Sequence, residues 1–340
     1  MHQPIVSVVM PVHNGAAHLD EALRSVERQT FTDFELVAVD DGSTDASWTI
    51  LEAHAERDPR IRPVRNERNL GHQATSNRAI AEARGRYVAR LDQDDVAFPT
   101  RLDRTVEAFH RAPDIGVVYG DYARWFPDGS VARRSPPPTH AAIRVAQLFG
   151  NWICHSTLAV RADLLASLDA CYRDVPGPQD YDLLSRLLPH AASACVTTPL
   201  AAYRQSEMAM TAKYADRMAA AVDEISSRQL ADLVGRDDIA STRAVFNLDA
   251  GVEDVRGIAA VHHIFEQVPE IDVHALRADA RAWQARWTGQ ALRAAVAPGG
   301  RLPRAPLFVG ELVRHDPAGA RAWAAGEVAK ARRRVAVPSG

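Results

Sequence analysis

The sequence has 340 residues, 46% of them hydrophobic and 24% charged, values that exclude a disordered or collagen-like chain and accommodate one large domain with an extension, or two domains. A formal net charge of −3 gives none of the basic character of a nucleic-acid binder, so polynucleotide partners are not expected. Cys154, Cys171 and Cys195 lack the paired spacing of a zinc site or disulfide scaffold and read as free thiols, the start lacks a basic n-region, and no stretch reaches the roughly 20 apolar residues of a membrane span, so the expected location is cytoplasmic.

Over the first hundred residues short apolar runs alternate with helical periodicity, the pattern of βαβ units and a parallel sheet. Residues 5–10 predict a buried strand. Leu19, Leu23 and Val26 then recur at helical spacing, and residues 35–39 predict a second strand ending at Asp40-Asp41-Gly42-Ser43. A helix over 45–57, a strand over 61–64 and a helix from His72, closed by Gly85 as its C-cap, come next. Residues 86–91 predict a fourth strand that delivers Asp92-Gln93-Asp94-Asp95 at its end. Pro99 suits the first turn of another helix, with Leu102, Val106 and Phe109 at helical spacing. Residues 115–119 predict a further strand, Pro127-Asp128-Gly129 a turn, and Ser135-Pro136-Pro137-Pro138 an extended loop. From Tyr214 the chain becomes rich in Ala and Arg, with helical periodicity over 217–233 and 275–295. The expected division is an α/β domain over 1–213, made of halves 1–98 and 99–213, followed by a helical extension over 214–340.

In open α/β sheets, ligands bind beyond the carboxyl ends of the strands where strand order reverses, and both acidic clusters fall at such ends. Asp92, Asp94 and Asp95 place three carboxylates in four positions, an arrangement that like-charge repulsion disfavours unless a cation or hydrogen-bond donors stabilise it. Mg²⁺ or Mn²⁺ would do so, taking a few protein oxygens and completing its shell with water and substrate phosphates. Alone, such a run is equally a solvated acidic turn. Asp40 and Asp41 form a second acidic strand end, suited to accepting hydrogen bonds from a base or ribose. The Gly42-Ser43-Thr44-Asp45 that follows is by itself an ordinary helix N-cap sequence.

Pro11-Val12-His13-Asn14, Val39 to Asp45, Asn69-Leu70-Gly71 with Asn77, and Leu91 to Asp95 occur in an order and spacing that resemble family-2 glycosyltransferases. Further matches carry the resemblance to residue 211. It implies a GT-A fold, in which a mostly parallel mixed sheet is flanked by helices, with the C-terminal helical extension uncovered. It also implies a nucleotide-sugar donor and a divalent metal, Mn²⁺ or Mg²⁺. Pro11, His13, Asn14, Asp40, Asp41, Asn69, Gly71, Asp92 and Asp94 fall on its donor-binding positions. His13 stands where the family usually has a base-stacking Tyr, Asp41 where a carboxylate reads the base, and Asp94 near the ribose. Either Asp94 or Asp95 matches the metal ligand.

Downstream, Pro178-Gln179-Asp180-Tyr181-Asp182-Leu183 with Arg186 resembles the family's acidic motif, which makes Asp180 the general base, with Gln179 in place of the commoner Glu. Without the resemblance, Gln179-Asp180 is simply a helix start. His155 lies in the segment that shapes the acceptor site, or is a hydrogen-bonded core histidine. Arg204, in Tyr203-Arg204-Gln205-Ser206, is placed to neutralise phosphate, while Ser206 replaces the family's usual metal or diphosphate His. The implied reaction inverts configuration at the sugar C1, with a UDP-sugar favoured by family tendency. Acceptor classes left open are a saccharide, a lipid-linked sugar, a peptide or a small molecule.

Three other patterns are weaker. Trp283-Gln284-Ala285-Arg286-Trp287 only approximates the Gln-x-x-Arg-Trp of processive synthases. Lys330-Ala331-Arg332-Arg333-Arg334 offers peripheral contact with an anionic membrane or is a solvated helix end. A dehydrogenase is disfavoured because no Gly-x-Gly-x-x-Gly follows the first strand, and a nucleotidyltransferase because the first loop lacks a Gly-rich basic form. An inactive nucleotide-sugar-binding or scaffold protein is the alternative from a different class.

Overall fold

A computed structural model describes residues 3–147, 150–175, 177–205, 221–222 and 224–229. The chain divides into two units at residues 225 and 226, and the architecture below is that of the first. The expected boundary at 213, Ser206, the tryptophan motif at 283–287 and the basic segment at 330–334 lie outside the described residues.

The N-terminal half is built from β1 (Val6–Val12), α1 (Ala16–Glu27), β2 (Phe34–Asp40), α2 (Ser47–Arg57), β3 (Ile61–Arg65), α3 (His72–Glu82) and β4 (Tyr87–Arg90). Strands β3, β2, β1 and β4 are adjacent in that order and all parallel. The sequence leaves β1 toward β2 on one side and returns to β4 on the other, so the strand order reverses beside β1 and opens a crevice at the carboxyl ends. β1 and β2 are buried along their whole length, as parallel strands covered on both faces must be. Val8, Met10, Leu36 and Ala38 pack on one face with Leu19, Leu23 and Val26 of α1, while Val9, Val37 and Val39 face the other with Ala79 of α3.

The second half continues through β5 (Val96–Ala97), α4 (Arg101–His110), β6 (Ile115–Trp125), β7 (Val131–Arg134), α5 (His140–Ala146), a 3₁₀ turn at His155–Thr157, β8 (Ala159–Arg161), α6 (Ala162–Ala166), α7 (Gln179–Leu187) and β9 (Ala192–Arg204). The sheet order runs β3-β2-β1-β4-β8-β6-β9-β5, with β7 paired to β6. β8 is antiparallel to both β4 and β6, β9 is parallel to β6, and β5 is antiparallel to β9. The sheet is therefore mixed and flanked by helices, as the resemblance implies. Its long ladders, β1 with β2 and β6 with β9, are parallel, and the antiparallel ones are short.

Gly85 is not a helix cap. α3 already ends at Glu82 with extended backbone at Ala83, and a Cβ on Gly85 would lie 2.5 Å from the Ser7 backbone nitrogen. Its role is to let the chain enter β4 against β1, where Ser7 Oγ accepts the Gly85 N–H at 2.8 Å. All three cysteines are free, and no helix among the described residues is long and apolar enough to cross a membrane.

Candidate active site

The carboxyl ends of β1, β2 and β4 are tied together by polar side chains from the loops between them. The Gln93 amide clamps the end of β1: its Oε1 accepts the His13 N–H at 2.9 Å and its Nε2 donates to the His13 carbonyl at 3.1 Å. Gly15 leaves space for that clamp, since a Cβ there would fall 2.4 Å from Gln93 Oε1. The loop after β2 and the first residue of α2 cap α1 from outside the helix. Ser43 Oγ accepts the Asn14 N–H, Ser47 Oγ the Gly15 N–H, and Asp45 Oδ2 the Ala16 N–H, at 2.9, 2.8 and 3.0 Å. These bonds satisfy N–H groups that the helix start leaves unpaired, and they give the Gly42 to Asp45 turn a positioning role.

His13 Nδ1 lies 3.0 Å from the Asp41 carbonyl, and its Nε2 lies 3.0 Å from Asn69 Nδ2. A carbonyl only accepts, so the fitting tautomer carries its proton on Nδ1 and accepts from Asn69 on Nε2. The Asp41 carboxylate is directed at the 66–71 loop. Oδ1 accepts from Asn66 Nδ2 at 2.7 Å and the Leu70 N–H at 2.8 Å, and Oδ2 accepts the Gly71 N–H at 3.0 Å. Burial alone would push this carboxyl up, but these donors hold it below the ordinary carboxylate range. Asp41 thereby shapes the loop that carries Asn69 and Gly71, and Gly71 adopts φ +91°, which a glycine accommodates. Asp40 is buried, and its Oδ1 has no hydrogen-bond partner among the described residues. Pro11 lies inside β1, and Asn14 accepts the Thr44 N–H through its Oδ1 at 2.9 Å.

At the end of β4 the three carboxylates occupy different environments. Asp92 pairs with the buried Arg90 guanidinium at 2.8 Å. Burial works against its charge, yet Arg90 keeps its pKa lowered. Arg90 is held in turn by Ser76 Oγ and by His72 Nε2, at 3.0 and 3.1 Å. Burial and then Arg90 push His72 down to about 4, so its unprotonated nitrogen accepts. Asp95 is 0% exposed, with Oδ1 accepting the Arg204 N–H at 2.9 Å and Oδ2 accepting from Ser156 Oγ. Asp94 is different: no side chain among the described residues donates a hydrogen bond to its carboxylate, and burial, then Asp92, raise its pKa.

Among the described residues, no three His, Cys, Asp or Glu side chains converge as a ready-made metal-ligand set. The residues nonetheless fit a cation that takes few protein ligands. Asp94 presents a carboxylate whose charge burial disfavours and which a divalent ion would stabilise. Both Asp95 oxygens are committed to bracing the β4 end against β9 and the 3₁₀ turn, so the open ligand is Asp94. Arg204 lies beside it: its Nε donates to the Asp94 carbonyl at 3.0 Å, its guanidinium sits 4.1 Å from the Trp125 ring centre, and it pairs with the half-exposed Glu21.

Asp180 occupies the first turn of α7. Its Oδ1 accepts the Tyr181 N–H at 2.9 Å, and its Oδ2 accepts from Asn151 Nδ2 at 2.7 Å. Burial chiefly, with the Asp92 charge adding to it, pushes the carboxyl up to about 6. That electrostatic coupling links the α7 acid to the acids at the end of β4. His155 stands beside Asp92: Nε2 is 2.6 Å from Tyr172 Oη and Nδ1 is 3.7 Å from Asp92 Oδ2. Burial, reinforced by Arg90, pushes it down to about 3, so near neutrality it meets Asp92 as a neutral dipole. Gln179 is 8% exposed, and its Oε1 has no hydrogen-bond donor among the described residues.

The structure thus gathers His13, Asn14, Asp41, Asn69 and Gly71 into one hydrogen-bonded group that Gln93 joins to the β4 end, ties Asp92 to His155 and Asp94 and Asp95 to Arg204, and sets Asp180 against Asn151. Sequence reasoning missed Gln93 as a clamp, Asn66, Arg90, Asn151 and Ser156. Arg90 alone carried a signal, as a charged residue inside a predicted buried strand that requires a partner.

Residues 7–167 match the family model described as Glycosyl transferase family 2. An uncharacterized glycosyltransferase of Methanocaldococcus jannaschii is 30% identical over 192 residues, covering 55% of this chain and 66% of that protein. Across three curated relatives the match spans between 20% and 66% of their own length. Among solved structures, S. aureus TarS 1-349 in complex with UDP-GlcNAc superimposes with a TM-score of 0.57 at 18% identity, covering 94% of this chain and 92% of that one. The mannosyltransferase PcManGT from Pyrobaculum calidifontis, in complex with GDP-Man and Mn²⁺, does so with a TM-score of 0.51 at 19% identity, covering 95% and 84%. Both share the fold.

Proposed function

Because the chain belongs to glycosyl transferase family 2 through residues 7–167, and is thus a nucleotide-sugar-dependent glycosyltransferase, we propose that it transfers the sugar by a single inverting displacement with Asp180 as general base. The observation that carries this reading is the position and basicity of Asp180. A carboxylate raised to about 6 is a stronger base than an exposed aspartate and is still ionised at neutral pH. It takes the proton from an acceptor hydroxyl as that oxygen attacks the sugar C1, and the C1–oxygen bond to the nucleoside diphosphate breaks.

In this reading the two halves that the sequence suggests divide the work, 1–98 holding the donor and 99–213 the acceptor. The nucleotide occupies the crevice beside β1, with the His13 ring offering a face to the base and Asn69 a polar edge. Asp41 acts by holding the 66–71 loop and keeps lone pairs available for a base N–H. Asp92 and Asp94 lie toward the ribose and diphosphate, and Arg204 is placed to turn from Glu21 to a phosphate oxygen. A divalent ion, Mg²⁺ or Mn²⁺, would be held by Asp94 and would supply charge stabilisation to the leaving diphosphate. A neighbour in fold that binds Mn²⁺ with GDP-Man is consistent with that choice. A UDP-sugar is the first donor to test. Thermal-shift titration with UDP-, GDP- and dTDP-sugars, with and without Mn²⁺, identifies the donor. A protein that no nucleotide sugar stabilises would refute the assignment.

A further inference from the structure

We propose that residues 170–172 form a strap that registers α7, and with it Asp180, against the donor-binding half, and that Asn77 and Arg186 are the positioning residues that anchor it. The inference rests on the reading of Asp180 as the base and concerns how that base is placed.

The segment between α6 and α7 belongs to no strand, so its backbone groups need partners from elsewhere. Two side chains supply them. On the donor side, Asn77 of α3 bonds the Tyr172 backbone in both directions across 95 residues of sequence: its Oδ1 accepts the Tyr172 N–H and its Nδ2 donates to the Tyr172 carbonyl, each at 2.8 Å. A side-chain amide carries an acceptor and a donor side by side, as a neighbouring strand does. On the other side stands Arg186, in the last turn of α7. It donates from Nη1 to the Ala170 carbonyl at 2.8 Å and from Nη2 to the Cys171 carbonyl at 2.5 Å, while its Nε donates to the buried Asp182 carboxylate of the same helix at 3.0 Å.

The Tyr172 side chain adds further ties. It belongs to the core cluster that holds Ala79 of α3 and Leu183, Leu184 and Leu187 of α7. Its Oη lies 2.6 Å from His155 Nε2, and the Arg90 guanidinium sits 5.8 Å from its ring centre. Arg90 and His155 both stand against Asp92. α7 is one helix of nine residues, so holding Arg186 in its last turn fixes Asp180 in its first. Neutral hydrogen bonds contribute modest net stability but are directional, so the effect of the strap falls on placement. Placement matters for a base, because a displacement of about 1 Å costs on the order of 10²-fold in rate.

Nucleoside diphosphate release and amide hydrogen exchange on the full chain test this. The donor is UDP-glucose, GDP-mannose or dTDP-glucose, whichever stabilises the protein most, with methyl glycosides and water as acceptors. Asn77→Ala should lower kcat at least tenfold with donor KM within about threefold. It should also speed exchange over 179–187 while residues 6–12 and 34–40 exchange as in wild type. In an Asp180→Asn background the same substitution should change the residual rate less than twofold, because Asn77 acts through the base; a purely structural role would cost the same in both backgrounds. Asn77→Asp keeps the side-chain volume and the bond from the Tyr172 N–H, should fall between, and carries the comparison if Asn77→Ala does not fold. Arg186→Lys keeps a charge beside Asp182, cannot fork to both carbonyls, and should reproduce the Asn77→Ala pattern. Wild-type exchange over 179–187 in the Asn77 variant or in Arg186→Lys, or an equal loss of rate with and without Asp180, would overturn the strap. If wild type releases no nucleoside diphosphate, or Asp180→Asn retains full release, the reading of the base fails instead, and exchange over 179–187 still decides whether the strap holds α7.

Discussion

Asn151 and Asp180 lie 29 residues apart in sequence and meet across 2.7 Å, amide Nδ2–H to carboxylate Oδ2. This bond favours the ionised form of Asp180, against the burial that raises its pKa to about 6. A general base must be unprotonated, so activity rises with pH through that value. The acid limb of kcat/KM should have its midpoint near 6 in the wild-type enzyme. Asn151→Ala removes the donor and should move the midpoint to higher pH, with a several-fold loss at pH 6.5 that is largely recovered at pH 8. An unchanged profile in that variant would separate Asn151 from the base.

Asp180→Asn should lose transfer by about 10²–10⁴-fold while gaining stability. The folded pKa is raised from 3.8 to about 6, so the carboxyl's contribution to stability is present below pH 3.8 and lost as pH rises through 6. At pH 7.5 the wild-type chain carries that loss, on the order of 2–3 kcal/mol, and the amide does not. Chemical denaturation at pH 4 and 7.5 checks this: the variant should be the more stable protein at pH 7.5, with the gap narrowing at pH 4.

The acids of the β4 end should separate by readout. Asp94→Ala should abolish Mn²⁺ binding in the presence of donor nucleotide, as read by electron paramagnetic resonance, with little change in melting temperature. Asp95→Ala strands the Arg204 N–H and the Ser156 hydroxyl in a buried place and should cost about 2–4 kcal/mol of stability. An Asp95→Ala chain that melts with the wild type would remove its bracing role.

Gly42 adopts φ +65°, and a Cβ there would lie 2.7 Å from the Arg68 carbonyl carbon and 2.8 Å from the Asn69 nitrogen. Both are backbone atoms of the loop that Asp41 holds. Gly42→Ala should destabilise the protein by about 1–3 kcal/mol and weaken donor binding by displacing Asn69 and Gly71. Paired measurements of denaturant midpoint and donor affinity check it, and a loss of stability alone would detach the loop from the donor.

The parallel half was legible because β1 and β2 are mostly apolar runs buried on both faces, and β2 and β4 run into acids, a pattern few other elements produce. The second half was not. β5 is two residues directly after the acidic turn, and β8 is three. β9 runs through Thr197-Thr198-Pro199, with a register irregularity opposite Gly120 and Tyr122, and Pro199 breaks the appearance of a strand. Gly85 was misread because a close backbone approach to Ser7 leaves no local signature. Ordered motifs singled out Asp40, Asp41, Asp92, Asp94, Asp95 and Asp180 as candidates, whereas Asn151 and Gln93 act through tertiary contacts that no spacing encodes.

The most direct test of the central claim measures nucleoside diphosphate release and sugar transfer by wild type and Asp180→Asn, using the nucleotide sugar that stabilises the protein most. Both chains should bind the donor, the wild type should transfer sugar with inversion at C1, and the variant should bind without transferring. Transfer by Asp180→Asn at the wild-type rate, or a product that retains configuration, would contradict it.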